Sequence, residues 1–158
     1  MDLLVKLYDL TADAALDARL AAAGITLRPA LPPELHLVTE WIVAQFGQGW
    51  ASEATVAICR QPVGCQIAVR GRQLLGFACH DATARGFFGP TGVLDSERGQ
   101  GIGKALLLKA LFAMRAEGYG YAVIGGAGPV AFYRRAVGAI PIEGSAPGLY
   151  AGLLTSGT

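Results

Sequence analysis

A glycine-rich turn between a strand and a long helix is the feature that most constrains the fold of this 158-residue chain. An apolar run that ends at Val93 and Leu94 precedes the turn, and a helix is predicted over 102–117. Glycine allows positive φ and a close approach of the backbone to a ligand, and a helix N-terminus presents free N–H groups. The turn, with glycines at 99, 101 and 103, therefore predicts a pyrophosphate site.

Two common phosphate-binding motifs do not fit this turn. A Walker A loop needs a glycine five positions before Gly103 and a hydroxyl after Lys104, whereas the chain has Arg98 and Ala105 there. A dinucleotide fingerprint needs a third glycine where the chain has Lys104 or Leu106. The spacing therefore disfavours ATP and NAD as the ligand.

Hydrophobic periodicity and turn residues predict an α+β plan for residues 25–154. The expected order is β, α, α, β, β, β, α, β, α, β, β, with a mixed, mostly antiparallel sheet flanked by helices and the glycine-rich turn in a β-α-β crossover. Strands are predicted at 25–29, 65–69, 73–80, 87–94, 119–124, 139–143 and 149–154. Helices are predicted at 32–46, from Ser52 to before Pro62, and at 102–117 and 129–137. Residues 1–24 are predicted to form a strand and helix appended to this domain, and 155–158 a tail.

Composition excludes several classes of protein. With 53% hydrophobic and 16% charged residues the chain is too apolar for a disordered protein, and a net charge of +1 gives no reason to expect nucleic acid binding. No apolar run reaches the roughly 20 residues of a membrane span, and Asp2 stands where a secretory signal is basic, so we expect a cytoplasmic protein. Three cysteines without a C-x-x-C pair indicate neither disulfides nor zinc, and no metal is expected.

The segment Arg98-Gly99-Gln100-Gly101-Ile102-Gly103 fits the pattern [RQ]-x-x-G-x-[GA], and here the sequence resembles the GNAT superfamily of acyl-CoA-dependent N-acetyltransferases. The resemblance covers about residues 25–154. A second family motif, a helix that carries a tyrosine soon after the next strand, matches 129–139 with Tyr133. Gly126 departs from the family, which often has asparagine there, and a glycine follows Tyr133 by five residues where four is usual.

The resemblance implies a GNAT-like fold in which an amine attacks the thioester of acetyl-CoA directly, within a ternary complex and without a metal. It also implies a homodimer. Pantetheine is expected along the strand that ends at Val93 and Leu94, and backbone N–H groups from Arg98 to Lys104 are expected to hold the pyrophosphate. The cofactor-binding residues expected on this basis are Val93, Leu94, Arg98, Gly99, Gln100, Gly101, Ile102, Gly103, Lys104 and Ala105.

The resemblance also suggests catalytic and acceptor-binding residues. Tyr133 is the candidate general acid for the departing thiolate, because a tyrosine with a pKa of about 10 is matched to a thiolate of similar basicity. His80 is the candidate general base, although an ordered water could serve instead. Asp81, Trp50 and Glu53 are candidates for acceptor binding, while Asp81 could equally be a turn residue and Glu53 a helix-start acid.

The chain has no acidic run of the kind expected to attract basic protein tails, so a small-molecule amine is the predicted acceptor. A different class of function stays open at this point. The same fold could bind acyl-CoA without catalysing transfer, as a sensor or a protein-interaction module.

Overall fold

A computed structural model describes residues 1–155 of the chain; residues 156–158, in the predicted tail, lie outside the described residues. The strands are β1 (Leu3–Lys6), β2 (Ile25–Pro29), β3 (Cys65–Arg70), β4 (Gln73–His80), β5 (Phe87–Val93), β6 (Tyr121–Ile124) and β7 (Ile140–Pro141). The helices are α1 (Ala14–Ala22), α2 (Leu35–Phe46), α3 (Gln48–Cys59), α4 (Ile102–Ala116) and α5 (Val130–Val137). In residues 1–155 no helix combines the length and the apolar content that crossing a membrane requires.

All these strands belong to one mixed sheet in the order β2-β3-β4-β5-β6-β1-β7. The antiparallel meander β3-β4-β5 is confirmed, and so is the parallel pairing of β5 with β6 through the α4 crossover. The predicted α+β class is therefore correct. The crossover places the glycine-rich turn at the carboxyl end of β5, where the backbone must reverse direction into α4.

The structure corrects the prediction that residues 1–24 are an appendage. Strand β1 lies inside the sheet, antiparallel to β6 on one side and to β7 on the other. Leu3, Val5 and Leu7 are fully buried in the same core as Leu16 and Leu20 of α1. Burying a large apolar side chain stabilises a fold by about 1.5–3 kcal/mol, so this segment is part of the core of the domain.

Near its C-terminus the chain forms less strand than the sequence suggests. The strand predicted at 149–154 is wrong, because Gly148 and Gly152 have positive φ and a 3-10 turn spans Gly148–Tyr150. Strand β7 has only two residues and ends at Pro141, which has no N–H to donate. These breaks leave Tyr150 on a turn rather than in the sheet.

Helix α3 begins earlier than predicted. The expected loop before Ser52 is reduced to Gly47, whose φ of 104° turns the chain directly from α2 into α3. Ala51, Ala54 and Ala57 of α3 are buried against the sheet, because small side chains let the helix approach closely. The early start brings Trp50 and Glu53 onto helix α3 rather than a loop.

Candidate active site

A cleft opens where β5 and β6 diverge. The two strands pair only through Phe87 with Val123 and Phe88 with Ile124, and the rest of β5 has no neighbour on that side among residues 1–155. The resulting cavity measures about 980 Å³. It is lined by β5, the glycine-rich turn, the first turn of α4, the segment 124–129, the start of α5, and residues of α3 and two distant turns.

The backbone of β5 supplies hydrogen-bonding groups to this cleft. The Leu94 N–H donates to the Leu75 carbonyl of the neighbouring segment at 2.9 Å. Hydrogen-bonded pairs alternate along an antiparallel ladder, so Val93 and Thr91 direct their N–H and C=O groups away from β4, into the gap. Val93 therefore offers a free backbone N–H to the cleft, whereas that of Leu94 is used within the sheet and Leu94 does not line the cleft.

The glycine-rich turn and the start of α4 present backbone N–H groups at the wall of the cleft opposite β5. Gly99 and Gly101 have φ of 84° and 90°, and Gly101 directly precedes α4. Ile102, Gly103 and Lys104 form the first turn of the helix and line the cleft. The N–H groups of a first turn have no acceptor within their own helix, so this end of α4 is suited to an anion.

Gly101 suits glycine chiefly because of its backbone conformation, since its positive φ is one that other residues rarely adopt. A Cβ there would also lie 2.6 Å from Leu16 Cδ1 and 3.0 Å from Arg19 Nη2, both on α1, so the ends of these two side chains would have to shift.

Side-chain hydrogen bonds hold the glycine-rich turn in place. Arg70 and Arg19 form them from other segments, and Gln100 forms one from within the turn. Arg70 donates to both carboxylate oxygens of Glu97 at 2.8 and 3.1 Å, and the Gln100 Nε2 donates to Glu97 Oε2 at 2.6 Å. The Arg19 guanidinium donates to the Gln100 carbonyl at 2.5 Å. Because Arg70 donates to it, the pKa of Glu97 is lowered. Gln100, predicted to bind the cofactor, instead braces the turn and does not line the cleft.

The first turn of α4 is also tied to α1. The Lys104 ammonium donates to Asp13 Oδ2 at 2.8 Å, and this bond lowers the pKa of Asp13. Ala105 is buried and its N–H donates to the Gly101 carbonyl, so the structure does not support its predicted contact with the cofactor. Arg98 lies at the outer edge of the cleft, where it pairs with Asp95 at 3.2 Å.

Tyr133 lies at the middle of the cleft. Helix α5 begins after Pro129, which places Tyr133 in an early turn that faces β5. Its ring packs edge-on against Phe88 and Phe132, with centroids 6.3 and 5.1 Å away. Burial raises the pKa of Tyr133 above its ordinary value, so its hydroxyl stays protonated and can donate a proton.

The far end of the cleft is built by side chains from separate segments. Trp50 and Glu53 come from α3, Thr83 from the turn between β4 and β5, and Tyr150 from the C-terminal 3-10 turn. The Thr83 hydroxyl donates to Glu53 Oε1, and the Trp50 ring packs on Phe46 with centroids 5.1 Å apart. Trp50 and Glu53, predicted to bind the acceptor, thus both line the cleft. No local pattern pointed to Thr83 or Tyr150.

Glycine is also required beside Tyr150. A Cβ on Gly125 would lie 2.4 Å from the Tyr150 hydroxyl oxygen. Gly126, the departure from the family pattern, donates its N–H to Asp2 Oδ1 at 2.8 Å. The start of the chain therefore shapes this half of the cleft, a role that the sequence analysis missed.

His80 and Asp81 do not line the cleft. His80 is buried, with its Nε2 2.6 Å from Glu117 Oε2. Asp81 accepts hydrogen bonds from the Gly86 N–H at 2.7 Å and the Tyr119 hydroxyl at 2.9 Å, so it stabilises the turn between β4 and β5. The predicted base and acceptor-binding roles of these two residues therefore lack the access to substrate that they need.

The side chains around His80 already include a positive charge, the Arg60 guanidinium. His80, Asp81 and Glu117 place three metal-ligand atoms within 4.8 Å of one another. The Arg60 Nη2, however, lies 2.5 Å from Glu117 and 3.4 Å from Asp81. The guanidinium neutralises the carboxylates of Asp81 and Glu117, so we interpret these side chains as a cluster of ion pairs that stabilises the fold.

Comparison with known proteins identifies the family. A family description, Acetyltransferase (GNAT) family, matches residues 35–139, well over half of the chain. The chain therefore belongs to the GNAT acetyltransferase family. No curated protein matches the chain.

Solved structures agree with this fold. A fungal glucosamine N-acetyltransferase region of a multi-domain β-N-acetylglucosaminidase aligns with a TM-score of 0.71 and 16% identity, over 86% of this chain and 19% of that protein. An N-acetyltransferase from Sphaerobacter thermophilus aligns with a TM-score of 0.64 and 22% identity, over 88% of this chain and 47% of its own. A GNAT acetyltransferase from Brucella melitensis, solved with acetyl-CoA, aligns with a TM-score of 0.51 and 23% identity, over 70% of this chain and 80% of its own. The chain thus spans less than half of the first two, and at these identities the likeness concerns the fold.

Proposed function

We propose that the protein transfers an acetyl group from acetyl-CoA to the primary amine of a small molecule, by direct attack in a ternary complex. One observation carries the proposal. A single cleft joins the N-terminus of α4 to the Glu53 carboxylate and passes the free edge of β5 and Tyr133 on the way. The Brucella melitensis relative is described in complex with acetyl-CoA, which supports this choice of donor.

The described residues fit the donor along its length. The N–H groups of Ile102, Gly103 and Lys104 face the place where a diphosphate would lie, and the helix dipole of α4 favours its negative charge. The outward N–H and C=O groups of Thr91 and Val93 match an extended amide chain such as pantetheine. When bound, acetyl-CoA supplies the acyl group as an activated thioester.

Two groups at the centre of the cleft serve the transfer. The Val93 N–H is directed to polarise the thioester carbonyl as negative charge develops on its oxygen. The Tyr133 hydroxyl donates its proton to the sulfur as the carbon–sulfur bond breaks and the carbon–nitrogen bond forms. Glu53, directly or through a water, takes the proton whose loss turns the acceptor ammonium into the attacking amine. The nitrogen loses a second proton as the amide forms, and by way of solvent this proton replaces the one that Tyr133 gave to the sulfur, so the charges balance.

Glu53 is our proposed anchor for the acceptor. It is the carboxylate at the far end of the cleft, and Thr83 fixes one of its oxygens, which leaves the other to bind an ammonium group. Trp50 and Tyr150 supply the walls. Glu53, directly or through a water, takes over the base role that the sequence analysis gave to His80.

A non-catalytic acyl-CoA-binding module is the second candidate. It is favoured by one observation, that neither histidine of the chain lines the cleft, so no imidazole is available there to act as the base. The two candidates predict the same affinity for acetyl-CoA and differ only in turnover.

Calorimetric titration with acetyl-CoA, beside ATP and NAD, tests the donor. We expect saturable binding of acetyl-CoA alone. A panel of amines, including glucosamine and amino acids, is then screened for release of free CoA thiol. Thiol release with any small amine supports the enzyme; binding without release from any of them favours the second candidate. No binding of acetyl-CoA to folded protein contradicts both.

Two further expectations stay predictions, the homodimer that the resemblance implies and the cytoplasmic location expected from the start of the sequence. The homodimer is tested by light scattering on the purified chain, where a single protomer mass would contradict it. The cytoplasmic location is tested by fractionating cells that express the chain.

A further inference from the structure

A second cavity of about 790 Å³ lies between α1, β2 and α4. Its walls are mainly aliphatic and aromatic, formed by Leu20, Ile25, Leu27, Leu108 and Phe112. The catalytic proposal uses none of these residues. A cavity of this size between two helices and the sheet is large enough for a small metabolite.

One polar side chain in this cavity lacks a partner. Gln66 of β3 is 3% exposed and lines the cavity, and its Oε1 accepts no hydrogen bond within residues 1–155. A buried carboxamide oxygen without a donor destabilises a fold, and proteins rarely leave one unmatched. Gln66 therefore indicates an occupant with a donor group.

Two charged side chains flank the same cavity. Asp17 of α1 and Lys109 of α4 both line it, both are exposed, and neither forms an ion pair with another residue of the described chain. Asp13, the other acid of the lining, is already paired with Lys104. The two unpaired charges of the cavity, on Asp17 and Lys109, therefore have opposite signs.

We propose that this cavity binds an aliphatic α-amino acid. The ammonium group donates to the Gln66 carboxamide oxygen, with Asp17 as its counter-charge, and Lys109 pairs with the carboxylate. The aliphatic side chain contacts Leu20 and Leu108. A zwitterion with an apolar side chain uses both free charges, the unmatched acceptor and the apolar walls, whereas a simple amine leaves Lys109 unused.

Occupancy of this cavity is coupled to the first turn of α4. Asp13 and Ala105 line the second cavity, and Lys104, the partner of Asp13, lines the cleft. A ligand that packs α1 against α4 holds the N–H groups of this turn in their binding geometry. This coupling rests on the proposed function, and we expect it to tighten acetyl-CoA binding about fivefold.

Calorimetry of the full chain with L-leucine tests the site directly, with isoamylamine and 4-methylpentanoate as probes that lack one charge. We expect saturable leucine binding, at least about tenfold weaker binding of both single-charge probes, and a similar loss of leucine affinity in Gln66→Leu and Lys109→Met. Gln66→Leu removes the unmatched oxygen, so its folding is checked by thermal melting, where an unchanged or higher Tm is expected. Glu53→Gln, at the far end of the cleft, should leave leucine affinity unchanged.

The other outcomes overturn the inference, one part of it, or the proposed function on which the coupling rests. No leucine binding to folded protein removes the site, and loss only in Glu53→Gln means that leucine binds in the cleft as an acceptor. Equal binding of isoamylamine overturns the zwitterion. Leucine binding to a protein that does not bind acetyl-CoA leaves the site standing and contradicts the proposed function alone. Leucine and acetyl-CoA binding with no mutual effect overturns the coupling.

Discussion

The two ends of the cleft are built in different ways. The end proposed for the pyrophosphate is formed by residues of one continuous segment, between 93 and 104, and it presents backbone groups. The end proposed for the acceptor is formed by side chains from α3, from the turn at residue 83 and from the 3-10 turn at Tyr150. A site made of backbone depends on conformation, and a site made of side chains depends on chemical identity. The two ends should therefore respond to different substitutions.

The largest effect is expected at Gly101. Gly101→Ala places a Cβ at a positive φ and 2.6 Å from Leu16 Cδ1, which strains the turn, and acetyl-CoA affinity should fall about 100-fold by calorimetry. Gly118→Ala is the matched control, because Gly118 has φ of 102° and open space around it, far from the cleft. Normal affinity in Gly101→Ala would show that the backbone of this turn does not hold the ligand.

Removing the Tyr133 hydroxyl should lower kcat about 100-fold with little change in acetyl-CoA affinity. Because burial raises the pKa of Tyr133, the wild-type rate should hold through neutral pH and fall only above pH of about 10, as the hydroxyl ionises. Tyr133→Phe should lack this alkaline fall. Tyr119→Phe, which alters a tyrosine bonded to Asp81 outside the cleft, is the control. A full rate in Tyr133→Phe would assign the proton transfer to another group.

At the acceptor end, Glu53→Gln should raise the KM for the amine about tenfold and leave acetyl-CoA affinity unchanged, because it removes a charge and keeps the shape. Glu40→Gln, an exposed acid on α2, serves as the control. Initial rates over a range of amine concentrations measure the effect. An equal loss of acetyl-CoA affinity would show that the two ends are not separate.

The smallest effect is expected from the tie between α1 and α4. Asp13→Asn weakens the bond to Lys104 and should reduce acetyl-CoA affinity only about threefold, since the N–H groups remain. The pKa of Asp13 is lowered in the folded protein, so its contribution to stability is present above pH of about 4 and is lost as pH falls below that value. Urea unfolding between pH 3 and 6 should show a smaller loss of stability in Asp13→Asn than in the wild type, because other paired carboxylates such as Glu97 lose their contribution in both proteins.

The contrast between a site built from one continuous segment and a site built from several distant ones also explains what could be predicted from the sequence. Gly99, Gly101 and the helix that follows form a local pattern, and local backbone geometry is encoded by neighbouring residues. The meander and the crossover were predicted for the same reason. Glu53 was predicted to bind the acceptor because the connection between the first two helices borders the acceptor pocket in the family that the sequence resembles.

The features that the sequence analysis missed depend on contacts between residues that are far apart in the chain. Nothing around Asp2, Asp13 or Arg19 shows that they bond to Gly126, Lys104 and the turn at Gln100. His80 ends a strand beside the cleft, but its side chain meets Arg60 and Glu117, which come from distant segments. Tyr150 was placed in a strand because its apolar neighbours outweighed Gly148 and Gly152 in the pattern.

The position of β1 in the sheet also sets the order of assembly. Leu3 pairs with Ile124, about 120 residues later in the chain, and the next residue, Leu4, pairs with Ile140 of β7. Contacts between such distant residues form slowly, because a long loop must close first. A ribosome makes β1 early, yet its partners emerge late. Folding is therefore expected to finish when this early segment inserts between two late ones. Until then the Asp2 carboxylate that holds Gly126 at one wall of the cleft is not in place.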